Sequence, residues 1–298
     1  MGFVRDVLAN VAGTGVLAVL ASALALAAAW LSRRSSVWKL FRVGTASRSS
    51  LTVIVPSFDI RPRTATGTVS VQAGFTGTAI SELEYREALD FADALQANPV
   101  VRLLQAVGLP ERVVYRPIRC RVTASRSVSE YTEHQQATAE DIKNTVRGVD
   151  CAILVGGPVY NTTTTVMLGQ APFAFAFSMR DENGRPVRGV EVRPVHGNTH
   201  RTFRRMEPVA GDGPHLEYAV VEAVDWEETR VFLCAGTCAA ATAAAVRKLR
   251  QDWRQLAKRF GGSGFGLVYE LALDSALMRD HAPDMGRLQQ CYVYPLGR

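Results

Sequence analysis

Cysteine is scarce and odd in number in this 298-residue chain, which holds only Cys120, Cys151, Cys234, Cys238 and Cys291. Five thiols, odd in number and without a dense pattern, do not form the disulfide framework of a small secreted domain. Cys234 and Cys238 stand four apart across an expected strand-to-helix turn. No second pair at zinc spacing completes four ligands, so both read as small buried hydrophobes rather than a redox or zinc pair. His196 and His200 share four-residue spacing, but in a Gly/Asn/Pro-rich loop rather than on a helix that would aim two imidazoles at one ion. No metal site is expected, and no cofactor is indicated. The nucleophile elbow G-x-S-x-G, the zinc helix H-E-x-x-H, the P-loop and the deaminase zinc pattern are all absent. Gly262-Ser-Gly264-Phe-Gly266 misses the G-x-G-x-x-G spacing. There is no solenoid-type repeat.

Charge is missing altogether from Val11 to Leu31, VAGTGVLAVLASALALAAAWL. At about 1.5 Å per residue such a run crosses a hydrocarbon core of roughly 30 Å. Arg5 and Asp6 precede it; Arg33, Arg34, Lys39, Arg42 and Arg48 follow without an intervening acid. Basic residues beside a span stay on the cytoplasmic side, so residues 1–10 are expected outside and the C-terminal domain in the cytoplasm. Trp30 and Trp38 suit an interfacial aromatic belt. The rival is a cleaved signal, for which Ala25-Leu26-Ala27 is a small-x-small site; the length of the run and the arginines after it oppose that reading. The basic cluster is also suited to anionic lipid.

The expected organisation is a short segment 1–10, a transmembrane helix 11–31, a basic juxtamembrane linker 32–50 and one α/β domain 51–298. With 47% hydrophobic and 21% charged residues, the last is large enough for a substantial core. Leu51–Val55 and Cys151–Val155 read as buried strands, and Pro172–Phe177, Leu216–Val224, Arg230–Leu233 and Phe265–Leu273 as further strands. Ser81-Glu-Leu-Glu84 is a capping box opening a helix through Leu95. Asn98-Pro99 starts another helix, ended by Gly108, and Thr138 starts a short one. Val246, Leu249, Trp253, Leu256 and Phe260 form the buried stripe of a helix over 239–260, capped by Gly261-Gly262. Asn183-Gly184 marks a hairpin turn inside an antiparallel insertion, Met179 to Val209. Strand–helix alternation predicts a mainly parallel sheet flanked by helices, with that hairpin inserted.

Two glycine turns carry the functional signal, each directly after an apolar strand. One is Gly156-Gly157-Pro158-Val-Tyr-Asn161-Thr162-Thr163, the other Gly236-Thr237-Cys238 through Thr242. In a doubly wound sheet, ligands sit beyond the carboxyl ends of strands. Glycine lets backbone N–H groups approach an anion, and a helix N-terminus adds partial positive charge. Gly156, Gly157, Asn161, Thr162, Gly236 and Thr237 are therefore the candidate ligand-binding residues. The bland alternative is that these glycines only permit tight turns and close packing. Asp59 and Glu84 are candidate acid–base or ribose-binding carboxylates near the same strand ends, with capping the competing role for Glu84. Arg201-Thr-Phe-Arg204-Arg205 and the basic helix face lack a groove-reading motif, which argues against nucleic acid. The sequon Asn161-Thr-Thr163 matters only in an extracytoplasmic domain.

Val-Gly-Gly-Pro-x-x-Asn after a strand, with Ala-Gly-Thr and a Trp-containing amphipathic helix later, resembles a group of uncharacterised prokaryotic Rossmann-like α/β domains. The resemblance spans residues 51 to 273 at most. It implies a nucleotide-like or other anionic ligand and transfers no catalytic residue. The chain thus reads as a single-pass membrane protein whose cytoplasmic domain senses or regulates through a small anionic ligand. The alternatives are a nucleotide- or nucleoside-processing hydrolase or transferase, and a structural or partner-binding membrane protein.

Overall fold

A computed structural model describes residues 21–22, 25, 35–43, 50–60, 77–80, 82–96, 119–126, 128–158, 161–180, 186–195, 202–206, 215–273 and 288–295. The expected span lies almost wholly outside these residues, as do the Asn98-Pro99 helix, the Asn183-Gly184 turn and both loop histidines. Among the described residues no helix is long and apolar enough to cross a membrane.

Seven strands form the main sheet. β1 (Ser50–Val55), β4 (Arg119–Ala124), β5 (Cys151–Val155) and β10 (Thr229–Gly236) run parallel; β9 (His215–Trp226), β11 (Phe265–Leu273) and β12 (Leu288–Pro295) extend it by antiparallel pairing. The order is β12-β11-β9-β10-β5-β1-β4. The central strands bury side chains on both faces: Val53, Ile153 and Phe232 meet one core, Ile54, Leu154 and Leu233 the other. Their uninterrupted apolar sequences follow from that double burial.

The sheet is mixed, which corrects the expectation of a mainly parallel one. β9 and β10 are joined only through Glu227 and Glu228, with Glu227 at φ 53°. A parallel crossover needs a dozen residues or more, so this link permits only a hairpin.

Helix α2 (Glu82–Gln96) and the long α6 (Ala239–Phe260) cover one face; α4 (Gln135–Arg147) and the short α5 (Thr162–Leu168) cover the other, and α3 (Val128–Glu133) precedes α4. The alanines at the start of α6 are buried and bring it onto the sheet, and Val246, Leu249, Trp253 and Leu256 continue the buried stripe. Gly261 ends it at φ 60°. Fully buried Arg230 bonds Asp225 at 3.1 Å and the Ser263 carbonyl at 2.6 Å, tying the β9–β10 hairpin to the turn after α6.

The domain begins before residue 50. Helix α1, described over residues 35–41, buries Val37, Leu40 and Phe41, followed by Val43, in the α2–α6 core. Phe41 packs against Phe91, Phe232 and Trp253 at centroid distances of 5.9, 5.1 and 6.2 Å. This part of the expected linker 32–50 is therefore core, because three apolar side chains recur on one helical face there. Two small sheets complete the fold. β2 (Ser57–Ile60) pairs with β3 (Gly77–Ile80), and β6 (Phe175–Arg180), β7 (Pro186–Pro194) and β8 (Phe203–Arg204) form the antiparallel insertion expected from the sequence.

Candidate functional site

The two glycine turns meet on one edge. β5 and β10 are parallel neighbours, with Val155 opposite Cys234, and the Gly156 N–H donates to the Cys234 carbonyl at 2.8 Å. Gly156 sits at φ +94°, a backbone conformation that glycine adopts without strain. Gly157 tolerates a methyl group, whose nearest neighbour would be the Phe177 ring at 3.6 Å. Gly236 does not: a Cβ there would lie 2.6 Å from the Ala241 carbonyl carbon and the Thr242 nitrogen. The second glycine exists so that α6 can start directly on its strand.

Most donors at this edge are used inside the fold. Asn161 is fully buried; its amide donates to the Ile54 and Val155 carbonyls at 3.2 and 2.6 Å, and its Oδ1 accepts from the Thr164 N–H at 3.2 Å. One side chain thus ties the ends of β1 and β5 together and caps α5, and the sequon is closed to a glycan. Thr162 and Thr163 are buried in the first turn of α5, and the Thr164 hydroxyl donates to the Gly156 carbonyl at 3.0 Å. Thr237 is equally committed: its N–H donates to the Tyr218 carbonyl, and its hydroxyl donates to Glu217 at 2.6 Å and accepts from the Tyr218 N–H at 2.8 Å.

Glu217 is a buried acid that the sequence reading missed. Arg205 Nε lies 3.6 Å from it, Thr237 bonds it, and His215 and Cys238 stand close enough to bear on its charge. Desolvation raises its pKa, against the lowering effect of Thr237 and Arg205. Cys238 is half-buried and caps α6, its Sγ accepting from the Ala241 N–H at 3.4 Å. Glu222, on the opposite face of β9, accepts from the Ala174 and Phe175 N–H groups, and burial pushes it up to about 8. The available signal was two acids, Glu217 and Glu222, inside the apolar run Leu216–Val224, where a buried carboxylate requires partners. Arg204 and Arg193 reach buried Glu191 at 4.0 and 3.1 Å, so Arg204 and Arg205 of the basic segment both face acids of the domain.

An open groove of about 480 Å³ adjoins the first turn. Pro158, Thr165, Leu168, Pro172, Phe173 and Phe177 line it, with no ionisable side chain among the described lining residues. The Thr165 hydroxyl hydrogen-bonds the Pro158 carbonyl at 2.6 Å and fixes the rim. The volume falls in the range of small-molecule sites. Asp59 stands in β2 opposite Thr78, just beyond the carboxyl end of β1. Glu84 is buried in the first turn of α2; the opposite end of that helix reaches the start of β4 through Gln96 and the Cys120 carbonyl. Glu84 is not among the described lining residues of the groove. No protein-family model, curated protein or solved structure matches the chain, so the Rossmann-like resemblance rests on its motifs alone.

Proposed function

We propose that the chain is a membrane-anchored cytoplasmic domain that binds a small nucleotide-like ligand at the carboxyl edge of the sheet, as a sensor or regulator. The observation that carries this reading is the groove beside Gly157-Pro158, at the point where two parallel strands end in neighbouring glycine turns. Strand-end crevices are where α/β sheets bind ligands. The aromatic and proline lining suits the flat body of a heteroaromatic ring, stacked with centroids about 4.5–7 Å apart. Because the Gly156 and Thr237 N–H groups and the Asn161 side chain are engaged internally, stacking and shape, rather than a cradle of amides, dominate recognition.

A thermal-shift screen of nucleosides, nucleotides and phosphorylated metabolites on the full chain in detergent tests this. A specific ligand stabilises by mass action, by about 2.7 kcal/mol at a hundredfold excess over its dissociation constant. Absence of stabilisation across the whole panel contradicts the reading.

One observation favours an enzyme as the second reading. Glu217, with its raised pKa, lies beside Arg205, His215 and half-buried Cys238 at the same sheet edge. Such a perturbed carboxylate is what general acid–base chemistry on a nucleotide or nucleoside requires. Glu217→Gln abolishes turnover on this reading and leaves ligand binding unchanged on the first.

A further inference from the structure

The basic residues of α6 divide sharply by what they face. In the middle of the helix Arg247, Lys248 and Arg250 are ion-paired with Glu87, Asp252 and Asp90. In its last two turns Arg254, Lys258 and Arg259 are exposed, no acid follows Asp252, and none of the three is ion-paired among the described residues. Arg254 lies over Trp253, which packs on Phe41 of α1, and Arg259 lies over Phe260. The turn that follows α6 meets α1 directly: Arg42 donates to the Gly262 carbonyl at 3.2 Å, and the Lys39 carbonyl is near enough to contact a side chain at Gly262. Lys39 and Trp38 are exposed on α1. Of the acids at this end, Asp225 is taken up by Arg42 and Arg230 and Glu227 by Arg147, while Glu228 is exposed at the tip of the β9–β10 hairpin.

This is also where the chain leaves the domain. Four residue steps separate Leu31, the last residue of the apolar run, from Ser35, the first described residue of α1. Even fully extended they reach at most about 14 Å. Because Leu40 and Phe41 pin α1 into the core, the domain has no long tether on which to stand away from the bilayer. We propose, resting on the membrane-anchored reading above, that Lys39, Arg254, Lys258 and Arg259, with Trp38 at the headgroup level, form a docking face for anionic lipid. The sheet's amino-terminal edge then faces the membrane and the ligand groove at the opposite edge faces away from it. Cations within a Debye length of an anionic leaflet are attracted to it, and a tryptophan gains by lying at the interface.

The lysines of the chain, Lys39, Lys143, Lys248 and Lys258, report on this directly. Lys143 lies on α4, across the sheet, and Lys248 is ion-paired in mid-helix, so both serve as controls. The full chain is reconstituted in phosphatidylcholine vesicles with and without phosphatidylserine, floated on a density gradient and acetylated with an amine-reactive ester. Acetylation at each lysine is followed by mass spectrometry. Lys39 and Lys258 should react several-fold more slowly on the anionic vesicles, with Lys143 and Lys248 unchanged. Salt at about 1 M, where the Debye length falls to about 3 Å, should remove the difference. Arg254→Glu with Arg259→Glu, both at exposed positions, should restore the reactivity of Lys39. A chain that floats but shows equal Lys39 and Lys258 reactivity on both vesicles overturns the docking face and leaves the anchor standing. A chain that does not float overturns the anchor and the docking face together.

Discussion

Asn161 shows how a residue that reads as a ligand donor can be held by the fold instead. Replacing it with alanine leaves the Ile54 and Val155 carbonyls and the Thr164 N–H without their partner, all in buried surroundings. A loss of about 2–4 kcal/mol is expected from unsatisfied buried groups together with a lost N-cap, and urea unfolding measures it. Glu222 behaves differently because its environment acts on its charge. Its folded pKa is raised to about 8 by desolvation, so the folded state binds the proton more tightly than the unfolded chain. That contribution to stability is complete below the ordinary carboxyl range and is lost as pH rises from about 5 through 8. A tenfold difference in proton affinity between the folded and unfolded chain corresponds to about 1.4 kcal/mol, so the effect amounts to several kcal/mol at most. Glu222→Gln should flatten this part of the stability–pH profile; an unchanged slope would show that another group is responsible.

Among elements, the two glycine turns make opposite demands on the backbone. Gly236→Ala drives a methyl group into the first turn of α6 and should destabilise the fold by more than about 2 kcal/mol, the range of severe overpacking. Gly157→Ala meets only the Phe177 ring at ordinary contact distance and should change stability by less than about 1 kcal/mol. Equal effects in thermal unfolding would contradict this division. The elements themselves differ in how far the sequence announces them. β5, α6 and β11 could be read residue by residue: the strands are apolar runs too short for helices, and the helix repeats its buried positions at three- and four-residue steps. α5 was hidden by four consecutive threonines, poor helix formers that form a helix here because Asn161 caps them and the core covers Thr162, Thr163 and Thr164. The direction of β9 was missed because its turn uses Glu227 at positive φ, where no glycine or asparagine marks it. β12 and the β2–β3 pair lack a strong apolar alternation. At the site, the position of both turns was legible from strand-then-glycine order, and their engagement was not, since it depends on Ile54, Tyr218 and Glu217, distant in sequence.

For the whole molecule, α1 joins the expected anchor to the core, so what happens at residues 35–43 should be felt throughout the domain. Phe41→Ala removes a ring that contacts three other aromatic side chains and should cost about 3–5 kcal/mol by chemical denaturation. A cost below about 1 kcal/mol would instead place α1 outside the cooperative unit. At the opposite end of the sheet lies the groove beside Gly157-Pro158, the proposed ligand site. Its most direct test is calorimetric titration of the strongest ligand from the thermal-shift screen into wild type and Thr165→Trp. Thr165 is exposed on the groove wall, so the larger ring occupies the groove while the core stays intact. The variant should bind at least about tenfold more weakly, or 1.4 kcal/mol; equal affinity in the two proteins would remove the groove as the ligand site.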